Sequence, residues 1–75
     1  MSYIIILTSI TYVSKAQYLL AQNNIKSCVI KLQATQERRG CGYGLEVRGN
    51  FFQAAVSIIK KHGIKIVEII CENED

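Results

Sequence analysis

The chain lacks the cysteine spacings, long apolar runs and one-signed charge that mark many small functional modules. Its three cysteines, Cys28, Cys41 and Cys71, form no CxxC pair and no metal-ligand spacing with the single His62. No metal, iron–sulfur cluster or other cofactor is therefore expected. The opening apolar run, residues 3–7, is far too short for a membrane span and has no basic leader. An odd cysteine count without a signal peptide points to a reducing, cytoplasmic compartment. The net charge of +3 over 75 residues is too mild for the electrostatic footprint of a nucleic-acid binder. No base lies close to Cys41 in sequence, no carboxylate pair has a defined geometry, and no glycine loop leads into a helix. A stand-alone enzyme is not expected.

What is present is enough apolar residue, 49% of the chain, to build one domain over residues 1–75. That length is near the lower limit for unaided folding, where association is a common source of added stability. Residues 3–7 form a β-branched run of buried-strand length. Thr8 or Ser9 can cap a helix carrying Tyr12, Val13, Ala16, Leu19 and Leu20 at helical spacing. Asn23-Asn24 stops it, and residues 25–32 form a second strand. Residues 33–42 are polar and glycine-containing, a loop.

Residues 43–48 alternate Tyr43, Leu45 and Val47 against Gly44, Glu46 and Arg48, the mark of a half-buried strand. Asn50 and Gln53 are spaced as a capping box for a second helix, which ends at Lys60-Lys61-His62-Gly63. Residues 64–71 form a fourth strand, and residues 72–75 an acidic, solvated tail. The order βαββαβ contains a weak repeat: Leu20, Ile25, Lys26 and Ile30 correspond to Ile59, Ile64, Lys65 and Ile69. Two βαβ halves imply an α+β, ferredoxin-like sandwich with a four-stranded antiparallel sheet and both helices on one face.

Leu45 and Val47 are expected to face the helices, because the opposite choice would bury Glu46 and Arg48. Transferred through the repeat, that register places Ile4, Ile6, Cys28, Ile30, Val67, Ile69 and Cys71 inward. Tyr3, Ile5, Leu7, Ile66 and Ile70 then form an apolar open face, expected to pair with a second copy or a partner protein.

The run Arg38-Arg39-Gly40-Cys41-Gly42 is the part of the chain that carries chemistry. Gly40 and Gly42 give the backbone unusual freedom, and Arg38 and Arg39 favour a thiolate at Cys41. The topology, read from sequence, puts this loop at the same end as the chain terminus and Cys71, away from both helix N-termini. The arginines are then its only activators, and Cys71 is a candidate resolving thiol. A plain turn cysteine is the competing reading. Cys28 and Cys71 are expected to act as small core hydrophobes.

From Thr8-Ser9 through Lys15-Ala16, Leu19-Leu20 and Asn24-Ile25 to Cys41-Gly42, Leu45, Val47 and Gly63-Ile64, the chain resembles a family of small bacterial proteins. These are the selenium/sulfur carrier-like proteins, a domain without established function. The specific part is Cys41-Gly42 immediately before the third strand; family members typically carry serines where this chain has Arg39-Gly40. The resemblance implies that Cys41 carries sulfur or selenium as a persulfide-type adduct, beside a sulfurtransferase-like partner. Two other classes compete. One is an interaction or regulatory module using the open sheet face. The other is an RNA-binding domain, since Arg39-Gly40-Cys41-Gly42-Tyr43 partly matches a third-strand RNA signature. The aromatic expected at Cys41 is missing, and an outward Tyr43 would turn Glu46 and Arg48 inward.

Overall fold

A computed structural model of the protein describes residues 1–32 and 42–72. In chain order the elements are β1 (Ser2–Leu7), α1 (Ile10–Gln22), β2 (Ser27–Lys31), β3 (Tyr43–Arg48), α2 (Phe52–Lys61) and β4 (Ile66–Glu72). Each begins and ends for a local reason. Ser9 caps α1, its Oγ accepting the Tyr12 N–H at 3.2 Å. At the other end Asn24 takes the left-handed conformation, φ 62°. The Asn24 N–H then donates to Ala21 O at 3.0 Å and the Ile25 N–H to Leu20 O at 2.9 Å. That pair of bonds is a Schellman stop.

α2 stops in the same way. Gly63 has φ 75°, its N–H donates to Lys60 O at 3.0 Å, and the Ile64 N–H donates to Ile59 O at 3.2 Å. Leu20, Ile25, Ile59 and Ile64 are all buried, which supplies the apolar contact that accompanies this motif. The Leu20/Ile59 and Ile25/Ile64 part of the weak sequence repeat is therefore one helix-stopping device used twice, whereas Ile30 and Ile69 fall on opposite faces of the sheet. The start of α2 differs from the expected capping box. A 3₁₀ turn, Gly49–Phe51, takes up Asn50, and Phe51 becomes the cap with no side-chain hydrogen bond.

The four strands form one antiparallel sheet in the order β2-β3-β1-β4. β1 and β2 are thus parallel to each other with β3 between them, and β3 and β4 are parallel with β1 between. Each helix joins such a pair, giving an α+β fold. One side of the sheet packs with Val13, Ala16, Leu19 and Leu20 of α1 and Ala55 and Ile59 of α2. Tyr3 stacks on Phe52 there, ring centroids 3.9 Å apart.

The register of β1 is opposite to the sequence expectation. Ile5 pairs with Leu45 and Tyr3 with Val47, and directly paired residues share a face. Tyr3, Ile5, Leu7 and Ile66 therefore belong to the helix-side core. Ile4, Ile6 and Leu32 form a second cluster on the other face, with Ile30, Val67 and Ile70 against it. Only Ile70 of the expected interface lies on that face. Residues 3–7 are apolar throughout, so alternation could not specify which side each takes; cross-strand pairing did. A register shift in the β1–β4 ladder between Ile6 and Leu7 likewise exchanges Ile66 and Val67 relative to expectation.

Candidate functional site

The rim of the sheet formed by Leu7, Lys31, Tyr43 and Ile66 is the one at which Gly42, the residue after Cys41 in sequence, lies. Lys31 and Tyr43 are the last paired residues of β2 and β3. Beyond them the Leu32 N–H donates to Gly42 O at 2.8 Å, so the two ends of the intervening segment are tied together. Gly42 has φ 85°, and a Cβ built on it would meet nothing within 4 Å. The requirement for glycine at this position is conformational, not one of space. Arg38, Arg39, Gly40 and Cys41 lie outside the described residues.

The same rim receives the start of α1, which follows Leu7 after two residues. For α1 this reverses the arrangement read from sequence, in which both helix N-termini lay away from the loop; α2 does start at the opposite rim, after Arg48 pairs with Ser2. α1 runs for 13 residues with no acid in its first turn, so none of its own first-turn side chains offsets its positive end. β4 starts at this rim and ends at the opposite one, where Glu72 pairs with Ser2. Cys71 is accordingly at the far end. Two strand spacings and five residues of rise, through Tyr3 and Val47, place it about 20 Å from Gly42. A resolving role for Cys71 beside Cys41 does not fit that geometry.

Neither Cys28 nor Cys71 is core filler. Both are free and exposed. Cys28 pairs with Glu46 on the face away from the helices, while Cys71 pairs with Tyr3 on the helix side. They sit on the two edge strands, about 14 Å apart laterally by three strand spacings, too far to bridge. Ile30, also expected inside, shares the Cys28 face. Edge strands receive a neighbour on one side only, which is why their side chains stay accessible.

Cys28 also lines a cleft of about 670 Å³ at the far rim, with Met1, Ser2, Lys26, Ser27, Glu46, Val47, Arg48 and Phe51. Sequence reasoning missed this cleft because it joins the start of β2, the end of β3 and the start of β1. Ser27 Oγ is buried there without a hydrogen-bond partner. His62 is accounted for by the C-terminus of α2, where Nδ1 lies 2.9 Å from Ile58 O. Among the described residues no group of three or more His, Cys, Asp or Glu could hold a metal ion. None of their helices is long and apolar enough to cross a membrane.

Tyr43 packs toward the helix-side core. No strand residue on the opposite face is aromatic among the described residues. The chain matches no protein-family model, no curated protein and no solved structure.

Proposed function

We propose that this is a ferredoxin-like βαββαβ sandwich that carries sulfur or selenium on Cys41 and works with a sulfurtransferase-like partner. The fold assignment is supported by the strand order read from the β4 edge, 4-1-3-2, with each helix crossing over one intervening strand. One observation supports the site most directly. Gly42, the neighbour of Cys41 in sequence, is fixed at a positive φ and bonded to Leu32, on the rim where the N-terminus of α1, with no acid in its first turn, also lies. A helix N-terminus favours a thiolate over a thiol, and that adds to the effect of Arg38 and Arg39 in the sequence.

In the transfer step the Cys41 thiolate attacks the outer sulfur of a persulfide on the donor. A new S–S bond forms at Cys41 as the donor's S–S bond breaks, and the donor leaves as a thiolate. No oxidant is consumed. Intact mass spectrometry of protein taken from cells without reductant tests the reading. The expected result is an increment of one sulfur or selenium localised to Cys41 and absent from Cys41→Ser; an unmodified Cys41 in every preparation would overturn it. Alkylation rates give a second test. Cys28 and Cys71 are exposed, so faster labelling of Cys41 at neutral pH would report reactivity and not access.

A second reading is an interaction module on the sheet face opposite the helices. Ile30, Val67 and Ile70, partly buried around Ile4 and Ile6, support it. It requires Cys41→Ser to leave partner binding unchanged while Ile70→Lys abolishes it.

A further inference from the structure

Among the described residues no strand flanks the outer side of β2 or β4, Ser27 O of β2 accepting from Gln17 Nε2 at 3.1 Å, and these two edges fit each other. We propose that β2 of one copy pairs antiparallel with β4 of the next, Val29 opposite Ile69 and Lys26 opposite Glu72. The sheet would then continue from chain to chain with the helices of every copy on one side.

Strand direction makes this possible. Within one chain β2 and β4 are antiparallel and lie at opposite edges. A copy displaced sideways by the width of the sheet therefore brings its β4 beside β2 in antiparallel sense. The faces also agree. Val29 pairs with Leu45, and Ile69 with Ile5, so both project to the helix side. Ser27 then meets Cys71 on the same side, while Cys28 meets Ile70, and Ile30 meets Glu68, on the other. Shifting the register by one residue would set helix-side residues against opposite-face ones along the whole edge.

Apolar and charged groups select the same alignment. Val29 and Ile69 are exposed by 37% and 40%, each at the middle of its edge, and cross-strand β-branched pairs stabilise a sheet. Lys26 is brought to Glu72, an attractive pair. By contrast, a twofold pairing of β4 with β4 gathers the acidic strands of both copies. The contact ends at Ile30 and Glu68, because the shift in the β1–β4 ladder turns Val67 to the other face. Five residue pairs bury much less than the roughly 1,200–2,000 Å² of a stable interface, so the association is weak and depends on concentration. It does not close on itself, because strand twist turns each copy by about 80–100° from the last.

Disulfide trapping tests this with residues already exposed in the monomer. In a background with Cys28, Cys41 and Cys71 replaced by serine, Val29→Cys, Ile69→Cys and the double variant are oxidised at high concentration. The expected result is a ladder of dimers, trimers and larger species from the double variant alone. Dimers from Val29→Cys or Ile69→Cys singly would mean twofold pairing of like edges, and would overturn the proposal. So would a double variant that stays monomeric, or a native chain whose light-scattering mass does not rise with concentration. Adding Lys26→Glu should reduce the ladder several-fold, and Lys26→Glu with Glu72→Lys should restore it; failure of that rescue would reject the register. Cys41 is absent from these variants, so the result is independent of the carrier reading.

Discussion

Gly44 shows how one residue shapes the packing on the sheet face opposite the helices. It sits on β3 between Ile6 and Ile30, and a Cβ added there would lie 2.5 Å from Ile4 Cγ2. Glycine in a strand costs about 0.5–1 kcal/mol of conformational entropy, so Gly44→Ala would help if the space were free. It is not free, and the branched side chain of Ile4 has little rotamer freedom with which to move. Gly44→Ala should therefore destabilise the protein by about 1–3 kcal/mol, read as a lower urea midpoint with unchanged slope. The alternation of Leu45 and Val47 was legible in the sequence, because charged residues marked its other side. The role of Gly44 was not, since the side chain filling its space comes from a different strand.

Helix ends were the most legible elements. Asn23-Asn24 and His62-Gly63 both proved to be stops, and the Leu20/Ile59 and Ile25/Ile64 part of the repeat proved to be a repeated hydrogen-bond pattern. The two stops respond differently to substitution. Gly63→Ala forces an alanine into the left-handed region and should cost about 1–2 kcal/mol. Asn24→Gly should change stability by less than about 0.5 kcal/mol, because asparagine already tolerates that region. Ser9→Ala removes the side-chain acceptor of the Tyr12 N–H and should cost about 0.5–2 kcal/mol. Urea denaturation of the three variants gives the order; equal losses at residues 24 and 63 would contradict the shared geometry with unequal strain. The start of α2 was misread because Asn50 and Gln53 have the spacing of a cap, while the chain spends Gly49–Phe51 on a tighter turn.

At the scale of the whole molecule, burial on both faces of β1 decides stability. Ile5→Ala opens a cavity against Leu45 and the helices and should cost about 2–5 kcal/mol. Ile70→Ala, on the outer cluster near a sheet edge, should cost less than half as much. Comparable losses at the two positions would contradict the register. The sequence by itself determined the element order, the helix stops, the facing of β3 and the prominence of Cys41-Gly42. Those features depend on local propensity, or on a charged residue marking one side of a strand. Tertiary structure alone decided which side of β1 faces the helices, the exposure of Cys28 and Cys71, and which helix end lies near Gly42. Each of those depends on strands distant in the chain pairing in one particular register, and five consecutive apolar residues in β1 leave the choice of register to their neighbours.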